Sequence, residues 1–307
     1  MLKQKIISKA HELGFELIGF AKYQILEEEI SNLENWLSKN YQAGMNYMER
    51  NIEKRKDISQ ILPDCKSVIS LGMNYYVNEK FEKSDDFGKV SRYAWGKDYH
   101  LIIWKKLDEL IEFIKQIEPD FEAKSYVDTG PVMDKVWAVK TGLGWQGKHS
   151  NIINKKIGSW FFISTVITNY NFEEYSKPIS DFCGTCTACI DACPTSAIIQ
   201  DYVVDSHKCI SYLTIENKNE IPDEFIGKFD KWIFGCDICQ DVCPWNVKFA
   251  YQTNIIEFLK VENKELELEE IEKMENSKFK KRFNESPIFR SKLKGLKRNA
   301  EFLQKQK

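Results

Sequence analysis

Apolar positions recur along this chain at two different periods, and the switches between them lay out its elements. Leu2, Ile6, Ala10 and Leu13 fall on one helical stripe closed by Gly14, the residue that most readily ends a helix. Leu17–Ala21 reads as a short strand, Ile30–Leu37 as a second helix and Ser67–Leu71 as an apolar strand. Between His100 and Ile117 the apolar residues Leu101, Trp104, Leu107, Leu110, Ile111 and Ile114 keep helical spacing. Ser125–Val127 predicts a strand that runs into Asp128-Thr129-Gly130-Pro131. The proline suits the first turn of a following helix, with Val132, Val136 and Val139 inward. Trp160–Thr168 is strand-like. Strands and helices therefore mix over residues 1–175, an α/β (α+β) core. A cysteine-rich module follows over 176–250, then a charged helical segment over 251–307.

Composition agrees with a folded chain, at 43% hydrophobic and 29% charged residues. No apolar run is long enough to cross a bilayer. The N-terminus has neither a secretory apolar core nor a twin-arginine pair. A cytoplasmic, monomeric protein with no membrane partner is expected. The net charge of −2 hides an asymmetry: residues 251–276 hold eight acidic and three basic residues, whereas 277–307 hold eleven basic and two acidic ones. Such a basic stretch is either a phosphate-binding surface or a solvated helix face, and charge alone leaves both open.

Eight of the nine cysteines lie within the 61 residues from Cys183 to Cys243. The first run is Cys183-x2-Cys186-x2-Cys189-x3-Cys193-Pro194, the bacterial ferredoxin spacing, in which the fourth cysteine ligates the other cluster. The second, Cys236-x2-Cys239-x3-Cys243-Pro244, is one ligand short, and Cys209 completes it. This assigns Cys183, Cys186, Cys189 and Cys243 to one [4Fe-4S] cluster, and Cys193, Cys209, Cys236 and Cys239 to the other. Structural zinc also favours C-x2-C pairs, but it does not require three cysteines at successive x2 spacings followed by x3-Cys-Pro. Free thiolates suit a reducing compartment. Cys65, left over, reads as a small buried hydrophobe.

Other motifs need more care. Gly142-Leu143-Gly144-Trp145-Gln146-Gly147-Lys148 matches G-x-G-x-x-G and nearly a P-loop, but it follows a helix and leads into a strand, and His149 replaces the Ser or Thr that a P-loop requires. A tight turn or a close backbone approach fits better. Asp98-Tyr99-His100 contains an Asp–His pair like that of some cobalt-ligating corrinoid proteins. The glycine of that pattern is missing, so His100 reads as a helix-start residue. Asp128 stands at a strand end. It is either a general acid held protonated by burial or a structural carboxylate at a helix N-terminus.

Together these segments resemble the epoxyqueuosine reductase family over nearly the whole chain. The resemblance runs through Glu12–Gly19, Ala43–Met48, Lys54-Arg55, Trp95–His100, Val127–Pro131, Gly142–Lys148, Gly158–Trp160, both cysteine runs and Cys209–Thr214. It implies a nitroreductase-like core that binds cobalamin against a ferredoxin-like module holding two [4Fe-4S] clusters. It further implies the reduction of epoxyqueuosine to queuosine at the wobble position of tRNA. Asp128 is then the proton donor, and Arg55, Ser91, Asp128, Lys148, Ile152, Ser159 and Ser211 contact cobalamin without a histidine lower ligand. Relatives usually carry Cys at Ser91 and Asn at His149, so His149 is given no contact. The family often ends in a helical-repeat domain that helps hold tRNA, and this sequence stops where that domain would begin. The basic C-terminal stretch is then expected to hold the tRNA, with Lys135, Thr214, Lys292, Lys294, Lys297 and Arg298 as contacts. An external donor of flavodoxin or ferredoxin type would supply electrons. The alternatives are a corrinoid reductase of a small molecule and an iron–sulfur electron carrier.

Overall fold

The computed structural model describes residues 2–82 and 85–305, so Met1 and the last two residues of the basic stretch lie outside it. Up to the first sheet strands the chain forms α1 (Leu2–Glu12), β1 (Leu17–Lys22), α2 (Glu27–Ser38), α3 (Ile52–Lys56), β2 (Ser67–Asn74) and β3 (Phe87–Val90). Next come α4 (Tyr99–Lys115), β4 (Ala123–Tyr126), α5 (Asp134–Lys140), β5 (Trp145–Gln146), β6 (Ile152–Ile153) and β7 (Phe161–Thr168). The cysteine region holds α6 (Ala188–Asp191), β8 (Ile198–Gln200), β9 (Val203–Val204), α7 (Ile210–Ile215), β10 (Trp232–Phe234), α8 (Ile238–Asp241) and α9 (Pro244–Phe249). The chain closes with α10 (Ile256–Leu259), β11 (Glu265–Glu267), α11 (Leu268–Lys273), α12 (Asn276–Phe283) and α13 (Lys292–Gln304). No described helix is long and apolar enough to cross a membrane.

The main sheet runs β1-β2-β7-β4, antiparallel throughout. Every residue of β2 is buried. Ile69, Leu71 and Met73 face the core shared with α1 and α4, while Val68 faces the one shared with α2 and α5. A strand covered on both faces needs no polar alternation, which is why Val68, Ile69, Leu71 and Met73 show none and only small residues stand between them.

A second sheet, β10-β3-β11, gathers three short strands from distant parts of the chain. It ties the C-terminal segment into the molecule: Leu266, Ile271, Phe283, Leu296 and Ala300 share one core with Val90, Trp95 and Phe234. The charged C-terminal segment is thus amphipathic, with a buried apolar face.

Helix α5 starts at Asp134, three residues later than the proline suggests. Its buried residues are Trp137 and Ala138, while Val136 and Val139 are half-buried. The reason lies upstream. Asp128 has φ 48°, and Gly130 lies so close to the Tyr126 ring that a Cβ there would sit 2.0 Å from it. Residues 128–133 form a loop that aims Asp128, and the helix begins only after it.

Candidate active site

The two cysteine runs fold as similar turns, each carrying a short helix, α6 or α8. Cys243 precedes Pro244 at the first turn of α9, where a proline's missing N–H costs nothing. Cys183, Cys186, Cys189 and Cys243 line a cavity of about 150 Å³ walled by Phe182, Ile153 and Trp245. Cys193, Cys209, Cys236 and Cys239 line a larger cavity of about 670 Å³. Burial, reinforced by the neighbouring thiols, pushes the Cys236 and Cys239 thiols well above their ordinary range. Four cysteines around one void suit a strongly cationic core, whose charge would hold them as thiolates.

The larger cavity also contains Asp128. Sited just beyond β4 in the left-handed backbone region, where Asp is among the few tolerated side chains, Asp128 presents a half-exposed carboxylate. One oxygen accepts from the Tyr99 hydroxyl, and the other lies 2.9 Å from His100 Nε2. His100 Nδ1 is 2.7 Å from Asp98 Oδ1, the same carboxylate oxygen that caps α4 by accepting from the His100 amide at 3.0 Å. Burial alone would lower the imidazole's pKa, but the hydrogen bonds to Asp128 and Asp98 outweigh it and lift it to about 9. His100 therefore carries both protons at neutral pH and donates to a carboxylate on each side. Tyr99 is stacked between His100 and Phe162, with centroids 4.1 and 4.0 Å away. A second acid, Asp134, lines the same cavity. Burial raises its pKa to about 7, although Thr165 donates to it at 2.5 Å.

An outer chamber of about 460 Å³ shares Tyr93, Tyr99, Cys209, Ser211, Glu216 and Arg290 with the first cavity. Arg290 Nε pairs with Glu216 at 2.9 Å on the border of the two. Asn284, Ser286 and Phe289 bring the C-terminal segment to this chamber.

The glycine-rich motif is the β5–β6 hairpin. Gly144 packs on the Ile153 carbonyl so closely that a Cβ would lie 2.2 Å from it, so the turn and close-approach reading holds. His149 lies in the turn of this hairpin, 5% exposed, and borders both cysteine-lined cavities. Its Nδ1 accepts from the Asn151 amide at 3.2 Å, and its Nε2 has no protein partner. Burial, and then the Lys135 cation, push its pKa down to about 4.

Comparisons with known proteins fit this geometry. Residues 182–246 match the family model described as a 4Fe-4S double cluster binding domain. Residues 55–129 match "Epoxyqueuosine reductase QueG, DUF1730". A curated epoxyqueuosine reductase of Cellulophaga algicola is 49% identical over 298 residues, covering 97% of this chain and 96% of that one. The chain belongs to the epoxyqueuosine reductase family. The relative from Leadbetterella byssophila is likewise 49% identical, over 98% of this chain and 97% of its own. A crystal structure of a selenomethionine-labelled epoxyqueuosine reductase superposes with a TM-score of 0.93 at 32% identity, over 99% of this chain and 81% of that one. Another epoxyqueuosine reductase, solved with an epoxyqueuosine-modified tRNA-Tyr stem loop, gives 0.92 at the same identity and coverage.

Within this family framework the expected contacts sort into groups. Ser91, Asp128, Ile152, Ser159 and Ser211 line the large cavity. Two of those hydroxyls are already engaged: Ser91 donates to the buried Asp237 at 2.5 Å, and Ser159 donates to Gln240 and accepts from Asn246, both at 2.8 Å. Lys148 stands elsewhere than expected, at the smaller cavity, paired with Asp201 at 3.0 Å. Arg55 is not among the lining residues; its guanidinium reaches the carbonyls of Arg50 and Tyr47, and Tyr47 does line the cavity.

Two of the expected tRNA contacts, Thr214 and Arg298, are corrected. Thr214 is fully buried, donating to Ile210 O and accepting from the Gly235 amide. Arg298 is 8% exposed, and its guanidinium caps the carbonyls of Leu213, Asn217 and Asn219, each at 2.7 Å. Those carbonyls follow Cys209, so Arg298 secures the segment that begins at this cysteine. Lys135 lines the large cavity and donates to Ser150 O and Asn151 Oδ1. Lys292 and Lys294 are exposed on α13, with Lys297 half-buried beside them. Sequence reasoning did not assign roles to Tyr99, His100, Glu216 or Arg290. Only the Asp98-x-His100 pair left a signal in the sequence.

Proposed function

We propose that this chain catalyses the two-electron reduction of epoxyqueuosine to queuosine in tRNA. The observation that carries the reading is the large cavity in which Asp128, bonded to His100 at the neighbouring chamber, and four cysteines meet. The conversion breaks both carbon–oxygen bonds of the epoxide, forms a carbon–carbon π bond, and consumes two electrons and two protons as the oxygen leaves as water. The fold division that follows is a core over 1–175, a two-cluster module over 176–250 and a C-terminal segment over 251–307 that borders the outer chamber.

The cavity suits cobalamin. Its walls are largely apolar, with Ile152, Phe161 and Ile163 beside the hydroxyl of Ser211 and the unpartnered, buried Nε2 of His149. Ser91, Ile152, Ser159 and Ser211 would hold it, and when bound it supplies the reducing chemistry at carbon. The residues themselves handle the protons. Asp128 takes the Nε2 proton of His100, charged between two carboxylates, and passes it to the departing oxygen, while Tyr99 fixes the carboxylate's orientation. Asp98 holds the imidazole in register. The cluster ligands are assigned as Cys183, Cys186, Cys189 and Cys243, and as Cys193, Cys209, Cys236 and Cys239. Lys292, Lys294 and Lys297 would hold tRNA phosphates, with affinity falling as salt rises. A reducing compartment such as the cytoplasm suits thiolate-held clusters.

The deciding experiment supplies anaerobically purified, cobalamin-loaded protein with an epoxyqueuosine-modified tRNA stem loop and dithionite. Queuosine is the expected product. A complete lack of it under this reductant would overturn the reading.

The His100 assembly gives a pH signature. Its pKa rises from 6.5 to about 9 on folding, so the stability it contributes is full below about pH 6.5 and is lost as pH rises through about 9. In urea titrations across that window the native protein should lose stability more steeply than His100→Gln. Turnover should show an alkaline limb near 9 that the variant lacks. Identical profiles for the two proteins would remove His100 from the relay.

A further inference from the structure

The smaller cysteine quartet lies at the surface: Cys186 is exposed, as are Gly184, Thr185 and Thr187 around it. Its cavity wall continues outward as an aromatic ridge. Phe182, 41% exposed, lies 6.0 Å from Trp245, which stacks on Phe249 at 5.4 Å. Val247, at 75% the most exposed large apolar side chain described, projects from the same short helix α9. An apolar ridge at the mouth of an electron-transfer site is the kind of surface that marks a contact.

Two lysine-bearing elements flank this ridge and are tied to one another. The turn after β6 is closed by the Asn154–Gly158 bridge and carries Lys155 and Lys156 at its tip. Gly158 lies against α9, where a Cβ would sit 2.1 Å from Asn246 Oδ1, and the Ser159 amide donates to that oxygen at 2.6 Å. The turn and α9 therefore form one face. Lys155 Nζ lies 3.6 Å above the Phe182 ring, and Lys248 Nζ is 5.1 Å from that of Phe249. Among the described residues none of these three lysines is ion-paired. The carboxylates nearby are engaged internally: Asp181 takes the Cys183 amide and the Tyr202 hydroxyl, Asp201 takes Lys148, and Asp191 takes Thr187.

We propose that this face, with Lys155, Lys156 and Lys248 around Phe182 and Trp245, is the docking surface for an acidic one-electron carrier protein. The proposal deepens the functional reading above and rests on it. At each encounter the carrier's reduced centre loses one electron to the cluster held by Cys183, Cys186, Cys189 and Cys243, with no bond made or broken and no proton moved. Two encounters supply one turnover. Unpaired lysines steer an acidic partner toward the site and dominate the association rate, while the apolar ridge excludes water at contact.

The test compares the native protein with the triple variant Lys155→Glu, Lys156→Glu, Lys248→Glu, both cluster-replete and without tRNA. Bleaching of the cluster absorbance is followed by stopped flow with an acidic flavodoxin hydroquinone, and separately with dithionite. The variant should react with flavodoxin about tenfold more slowly or worse and lose most of the dependence on ionic strength. Its iron content and dithionite-driven bleaching should be unchanged. An unaltered flavodoxin rate, or an equal slowing with dithionite, would overturn the docking surface. So would a loss of tRNA stem-loop affinity with the flavodoxin rate intact. Since the readout is cluster reduction, it stands apart from whether epoxyqueuosine is the substrate.

Discussion

Asp128→Asn should leave a protein with its full iron and corrinoid content that turns over about 10²- to 10⁴-fold more slowly, the usual worth of a positioned general acid. The substitution changes almost no volume, and the carbonyl of the new amide still accepts from one of its two neighbours. It cannot carry the proton. The amide nitrogen must also face either the Tyr99 hydroxyl or the Nε2 proton of His100, donor against donor, where the native carboxylate accepts from both. Absorbance of the loaded variant checks the cofactors, and single-turnover reduction of a modified stem loop checks the chemistry. Turnover within a fewfold of native would take Asp128 out of the reaction.

Cys209→Ala should remove the cluster beside the large cavity and abolish turnover even with dithionite in excess. Iron should drop from about eight to about four per chain, since each cubane holds four. Cys209 is the one proposed ligand outside both runs, and it stands at the N-terminus of α7. Its turn is held from behind by Arg298 and by Asn299, whose side-chain amide donates to Thr214 O and Ile233 O. The turn should therefore persist without the thiol, so the loss reports ligation rather than unfolding. Iron and electron paramagnetic resonance measurements decide the matter. Full iron with two intact cluster signals would show that another group completes the quartet.

The parts of this fold legible in the sequence are those whose cause is local. Strand β2 announces itself because burial on both faces lets Val68, Ile69, Leu71 and Met73 crowd together with only small residues between them. Helix α4 does so because Leu107, Leu110, Ile111 and Ile114 keep one stripe, although Leu101 and Trp104, read with them, are exposed. The cysteine runs are legible because cluster geometry constrains spacing along the chain. Strands β3, β10 and β11 are four residues or fewer, and β10 and β11 are strands only because β3 lies between them. No short window contains that information. His100 reads as a helix-start residue, which it is. Its second bond reaches a carboxylate 28 residues further on, delivered by a left-handed turn that local pattern does not disclose. Arg298 shows the opposite error. In a stretch rich in cations every arginine resembles a phosphate ligand, and only the three carbonyls left over at the end of α7 and beyond single this one out for burial.

The exchange of fourth ligands proposed for the two cysteine runs bears on how such a module can be inherited. A break anywhere between Cys209 and Cys236 leaves one fragment with three ligands of the smaller quartet and two of the larger. The other fragment keeps one and two. Neither piece owns a complete site, so half the module has nothing for selection to keep. The two clusters are one hereditary unit, to be gained, lost or recombined only together.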